Sequence, residues 1–132
     1  MPKITRVSGI TLRVSSMARS LNFYCDVLGL RVLYGDVRTS FSSLDVHGTY
    51  LNLEFSSKGD TSWGRIILYC DDVDEMHRHL RSKGYRVVAP RDAAWGERYF
   101  HIKDPDGHEL SLAQPLAQKS NSKKKSAHIL SL

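Results

Sequence analysis

At 132 residues the chain is long enough for one compact domain, or for two very small modules that share a core. Hydrophobic residues make up 41% and charged residues 25%, an ordinary globular balance, and no apolar run approaches the roughly 20 residues that a membrane span needs. The net charge of +5 is concentrated in Lys119, Lys123, Lys124 and Lys125 of an acid-free tail; the rest is nearly neutral and has no basic stripe, which argues against a nucleic-acid partner.

Residues 1–9 lack an apolar stretch followed by a small-residue cleavage site, and Cys25 and Cys70 form no CxxC pair. A reduced, cytoplasmic protein with two packed thiols is expected.

In chain order, the run Ile10-Thr11-Leu12-Arg13-Val14 reads as a strand. Ser16 then suits a helix N-cap, because its hydroxyl can accept an orphan backbone N–H. Met17, Leu21, Tyr24 and Leu28 fall on one face of the helix it opens, and Gly29 stands where that helix ends with positive φ. Strand patterns follow at 30–34, 40–46 and 49–55, the last two joined by a tight His47-Gly48 turn. A polar stretch, 56–61, links to a second strand, Ile66-Ile67-Leu68-Tyr69-Cys70. Asp72 with Glu75 offers a capping box, Val73, Met76 and Leu80 form an apolar face, and Gly84 ends the second helix. His77 and His79, two apart on that helix, read as solvated. Strands are expected at 85–89, 98–103 and 109–113. Between the last two, Pro105 presets a turn and Gly107 takes positive φ. The second set repeats the first at a spacing of about 55 residues, the mark of one supersecondary unit used twice.

The expected fold is α+β: two βαβββ modules in a pseudo-twofold arrangement, with curled mixed sheets around a pocket and helices outside. One domain is expected over residues 1–116, with modules at about 7–56 and 62–116 and a basic C-terminal tail at 117–132. Strand alternation assigns Ile10, Leu12, Val14, Leu51, Leu53, Phe55, Ile66, Leu68, Leu110 and Leu112 to the core. It turns Thr11, Arg13, Tyr50, Asn52, Glu54, Ile67, Tyr69, Glu109 and Ser111 toward the concave side, a mixed lining suited to a ligand.

Three stretches, LRVSSMARSLNFYCDVLGLRVL, LYCDDVDEMHRHLRSKGYRVV and WGERYFHIKDPDGHELSLAQP, resemble successive parts of the glyoxalase/bleomycin-resistance/extradiol dioxygenase (vicinal-oxygen-chelate) superfamily. The resemblance runs from about Gly9 to Pro115. It implies a small-molecule ligand and a homodimer. Enzymes of that superfamily hold one divalent metal through His and Glu side chains and use it to stabilise an enolate or a similar oxyanion. By the resemblance, the ligand positions fall on Gly9, Asn52, Arg65 and Ser111. None is His or Glu, and a permanent arginine charge opposes a cation.

The sequence therefore favours a metal-free, cofactor-free small-molecule-binding protein. Its expected ligand-binding residues are Arg13, Tyr50, Asn52, Glu54, Trp63, Arg65, Tyr69, Trp95, Arg98, Glu109 and Ser111. Trp63 and Trp95 either wall a ligand groove or cover a sheet end, and Arg98 either orients a carboxylate or pairs with Glu97 or Asp92. Arg13, Arg65, Glu54 and Glu109 either touch ligand or form an internal ion-pair set. The alternative is a superfamily enzyme of lyase, isomerase, dioxygenase or transferase type. It would use a displaced metal site drawn from Glu54, His101, Glu109 and, less naturally, His47, or a cofactor-free acid/base pair such as Glu54 and Glu109. No Ser-His-Asp order, nucleophile elbow or phosphate loop is visible, and catalytic residues are not assigned.

Overall fold

The computed structural model describes residues 2–3, 5–58, 61 and 63–116, so the basic tail at 117–132 lies outside the described residues. The chain divides into two compact units, Met1–Trp63 with the turn Asp104–Gly107, and Gly64–Lys103 with His108–Leu132. Each unit carries a four-stranded mixed sheet, and the strand orders correspond.

In the first unit, β1 (Gly9–Val14) leads through Ser16 into α1 (Met17–Leu21). The Ser16 hydroxyl accepts the Arg19 N–H at 3.2 Å, which fixes where the helix starts. The helix then widens into a π-helical stretch, Asn22–Val27, with the Leu28 N–H reaching the Phe23 carbonyl at 2.9 Å. That extra residue per turn shifts the expected apolar face, and Phe23, Tyr24 and Val27 are buried together. Gly29 ends the stretch with φ +83°. Next come β2 (Arg31–Tyr34), β3 (Phe41–Val46) and β4 (Thr49–Phe55). His47 and Gly48 both have positive φ, as a type I′ hairpin turn requires, and they set the register Val46 opposite Thr49. β4 also pairs in parallel with β1, placing Thr11 beside Asn52 and Arg13 beside Glu54. Leu12, Val14, Leu44, Leu51 and Leu53 form the core face, while Phe55, expected there, is 52% exposed at the strand end. The turn Asp104–Gly107 is fixed by Tyr24, whose hydroxyl donates to Asp104 at 2.7 Å, and by Ser15, whose N–H donates to Asp106 at 2.8 Å.

In the second unit, β5 (Arg65–Tyr69) leads through Asp72 into α2 (Val73–Ser82). Asp72 accepts the Glu75 N–H at 3.0 Å, while the Glu75 carboxylate accepts from Arg78. The helix closes through paired bonds from Gly84 and Tyr85 to the carbonyls of Arg81 and Leu80, with Gly84 at φ +91°. Its buried residues are Val73, His77 and Leu80. His77 is thus a core residue rather than a solvated one. Its ring meets Phe100 edge-on at 5.4 Å, and its Nε2 donates to the Val87 carbonyl at 3.2 Å.

The strand expected at 85–89 does not form. Val88 is 75% exposed, Pro90 has no N–H for a ladder, and the Val87 carbonyl bonds α2. The fourth strand is instead the short β6 (Arg91–Asp92), paired with β7 (Glu97–Lys103), which pairs in turn with β8 (Glu109–Pro115). β8 runs parallel to β5, with Arg65 beside Glu109 and Ile67 beside Ser111. The expected closing turn is present, with Gly107 at φ +93°.

Candidate functional site

The second sheet has two faces of different character. Ile66, Phe100, Ile102, Leu110 and Leu112 are buried, and Phe100 meets α2 through His77. The alternate residues border a hollow of about 380 Å³ lined by Arg65, Ile67, Trp95, Tyr99, His101, Ser111 and Ala113.

The aromatic wall is held from behind. The Trp95 indole N–H donates to Glu97 at 2.8 Å, and its ring stacks on Tyr99 at 5.7 Å and 30°. Glu97 is buried, and its carboxylate also accepts from the Tyr69 hydroxyl. Burial first, and the Glu97 carboxylate second, push the Tyr69 phenol well above its ordinary pKa. Arg91 lies over the Tyr99 ring at 5.2 Å and donates Nε–H to the Tyr99 hydroxyl oxygen at 2.9 Å.

The polar end is built on one histidine. Arg65 Nη1 lies 3.3 Å from His101 Nε2, and His101 Nδ1 lies 2.8 Å from Ser111 Oγ. A guanidinium can only donate, so Nε2 accepts and the ring proton resides on Nδ1, which donates to Ser111. Burial, and then the Arg65 charge, lower the His101 pKa, with Arg91 adding to the effect and Glu109 opposing it. The ring is therefore neutral at neutral pH. Ser111 receives the Nδ1 proton rather than surrendering its own, so the pair is not an activated nucleophile.

Of the expected site residues, Arg65, Trp95 and Ser111 border this hollow, and Tyr69 shares the Glu97 carboxylate with Trp95 behind it. Glu109 stands beside Arg65 in the ladder but not in the lining. Among the described residues, no carboxylate forms an ion pair with Arg65. Arg98 points to the other face of β7, where Asp74 holds it with two bonds of 3.0 Å and Asp92 with one of 2.9 Å. Tyr99 was not singled out from sequence, and Glu97 was named only as a partner for Arg98, although alternation from His101 along β7 places both on its face.

The first unit carries the other expected residues. Across β1, β4 and β3, the Asn52 amide donates to Thr11 at 3.3 Å and accepts from Ser43 at 2.7 Å. Arg13, Tyr50 and Glu54 are exposed on these strands, and Trp63 is 47% exposed.

The four positions at which the resemblance implies metal ligands do not suit a divalent cation. Gly9 offers no donor, and a β-carbon there would stand 3.0 Å from the Tyr50 carbonyl oxygen. Asn52 is engaged by Ser43 and Thr11, Ser111 by His101, and Arg65 is itself a cation. Among the described residues, no group of three or more His, Cys, Asp and Glu side chains could hold a metal. Burial raises the pKa of both free thiols, Cys25 and Cys70, so neither is an activated nucleophile. No helix among the described residues is long and apolar enough to cross a membrane.

Residues 6–112 match the family model described as Glyoxalase/Bleomycin resistance protein/Dioxygenase superfamily. A protein of Synechocystis sp. named "Probable lactoylglutathione lyase" is 27% identical over 82% of this chain and 94% of its own length. A "Bleomycin resistance protein" of Geobacillus stearothermophilus is 25% identical over 80% of this chain and 93% of its own. Among solved structures, a superfamily member from Sphaerobacter thermophilus superposes with a TM-score of 0.69 at 26% identity, covering 83% of this chain and 97% of that one. A glyoxalase/bleomycin resistance protein/dioxygenase from Nocardioides gives 0.71 at 15% identity, covering 92% and 91%.

Proposed function

The chain belongs to the glyoxalase/bleomycin resistance/dioxygenase superfamily, and from that premise we propose that it is a small-molecule-binding protein that works without the superfamily's metal. The observation that carries this reading is the place of Arg65. Its guanidinium occupies one of the implied ligand positions, borders the hollow, and contacts the neutral His101 rather than a carboxylate. A divalent ion there would face a fixed positive charge. The remaining lining is what a ligand pocket needs: a stacked aromatic wall, apolar Ile67 and Ala113, and a few oriented polar groups.

Elemental analysis of dialysed protein tests it. No stoichiometric zinc, nickel, manganese or iron is expected. One such ion per chain would overturn the reading and favour a superfamily enzyme with a displaced site. We further propose that residues 1–116 act as a single domain and that the protein works as a cytoplasmic homodimer. Exposed Val32, Leu33 and Tyr34 on the edge strand β2 support the second point. Sedimentation showing only monomer at tens of micromolar would refute the dimer, since a stable interface persists at about that range.

A further inference from the structure

The hydrogen-bonding groups around the hollow of the second unit are unbalanced, and the imbalance specifies a ligand. Both His101 nitrogens are engaged, one accepting from Arg65 and the other donating to Ser111. The Ser111 oxygen receives that bond, so its own hydroxyl proton is left to donate. The Tyr99 oxygen receives Arg91 Nε–H, which leaves the Tyr99 proton to donate as well. Arg65 has further N–H groups beyond the one aimed at His101. On the acceptor side, the buried Glu97 carboxylate is engaged by Trp95 and Tyr69 and is not part of the lining. The polar end of the hollow thus presents donors, one of them a guanidinium without a carboxylate partner among the described residues. The rest is a stacked Trp95–Tyr99 wall.

We infer that this hollow takes a planar aromatic carboxylate, its ring against Trp95 and Tyr99 and its carboxylate on Arg65 and Ser111. The inference rests on the small-molecule reading above and adds the ligand's class. Arg65 can hold a carboxylate through two parallel N–H bonds, and the flat ring matches the geometry and apolarity of the wall. A neutral amide of the same shape brings an NH₂ donor against donors and lacks the charge. A cationic analogue faces the Arg65 charge directly. Glu109, beside Arg65 in the ladder, is the opposing charge, and it weakens the preference without pairing with the guanidinium.

The test is titration of the full chain with 2-naphthoate, 2-naphthamide and 2-naphthylmethylammonium. Calorimetry gives affinities, and the Trp95 indole and His101 ring signals in NMR report the location. The acid should bind at this site at least about tenfold more tightly than either analogue. Arg65→Gln should weaken it roughly 30-fold, as for a truncated charge pair. Arg65→Lys, which keeps the charge and loses the fork, should fall between. Arg65 is exposed, so both variants should unfold near the wild-type temperature. Glu109→Gln should tighten the acid and leave the amide unchanged. Equal or stronger binding of the amide or the cation at the same signals would overturn the acid assignment while leaving the small-molecule reading in place. Failure of all three probes at millimolar concentration would overturn the aromatic-carboxylate assignment, whereas the small-molecule reading stands or falls on the metal analysis above.

Discussion

His101 and Ser111 stand opposite each other on β7 and β8, and His101 Nδ1 lies 2.8 Å from the serine hydroxyl. The direction of that bond is decided elsewhere, by Arg65 at the other ring nitrogen. In solution an uncoupled histidine is free to carry its proton on Nε2, whereas here the guanidinium requires Nε2 to accept. Nitrogen NMR of the imidazole should therefore report an unprotonated Nε2 and a protonated Nδ1. Arg65→Met should release the constraint and let the Nε2–H form appear. A protonated Nε2 in the wild type at neutral pH would sink both the assignment and the donor count built on it.

The same contacts make stability depend on pH. The His101 pKa is lowered in the folded protein, by burial first and by Arg65 second. The unfolded chain has the ordinary value of about 6.5. Between that value and the lower folded one, the unfolded state binds more protons, so stability falls as pH falls. The contribution is fully present above about pH 6.5 and is lost as pH drops through the folded pKa. His101→Gln should flatten that part of the profile. Denaturant midpoints of the two proteins that run parallel from pH 7 to 5 would contradict it.

In the first unit, Tyr24 is buried and donates to the buried carboxylate of Asp104 at 2.7 Å. Burial and the two nearby carboxylates, Asp104 and Asp106, hold the phenol protonated, so it serves as a donor at any working pH. Tyr24→Phe keeps the ring contact with Phe23 and removes only the hydroxyl. It should cost about 1.5–3 kcal/mol, the range for hydrogen bonds to charged groups. A loss under about 0.5 kcal/mol would show that water replaces the bond at no cost.

The sequence was most legible where one local rule had no competitor. Ser16 and Asp72 cap their helices, and Gly29 and Gly84 end them with positive φ. His47-Gly48 makes its two-residue turn, and alternation sorts Leu12, Leu51, Leu53, Leu110 and Leu112 into the core. It was least legible where tertiary contacts overrode the local signal. The Tyr85-Arg86-Val87 pattern promised a strand, but its carbonyl partner is a helix histidine. The π-helical stretch has no period that a 3.6-residue face reveals. Spacing alone showed neither that Arg98 would be held by Asp74 nor that Tyr99 would stack on Trp95, because both depend on which face β7 turns to α2. The arginine at position 65 was visible from sequence. The histidine that engages it could be placed on a strand, but its bond to Arg65 could not be read.

His77 anchors residues 85–90 by donating to the Val87 carbonyl, and it packs edge-on against Phe100. His77→Ala removes an aromatic contact and leaves a carbonyl without its partner. Together these should cost about 2–4 kcal/mol. Val88, one residue past the anchored carbonyl and 75% exposed, has no such role. Val88→Ser should stay within about 0.5 kcal/mol of wild type, as exposed substitutions do. A true strand at 85–89 would reverse this pattern, with Val88 sensitive and slow-exchanging amides through the segment. Hydrogen exchange and denaturant unfolding on the two variants decide the matter. Rapid exchange at 86–89 beside slow exchange in β7 is the expected result. Slow exchange at 86–89, with a large loss for Val88→Ser, would restore the strand and remove His77 as the anchor.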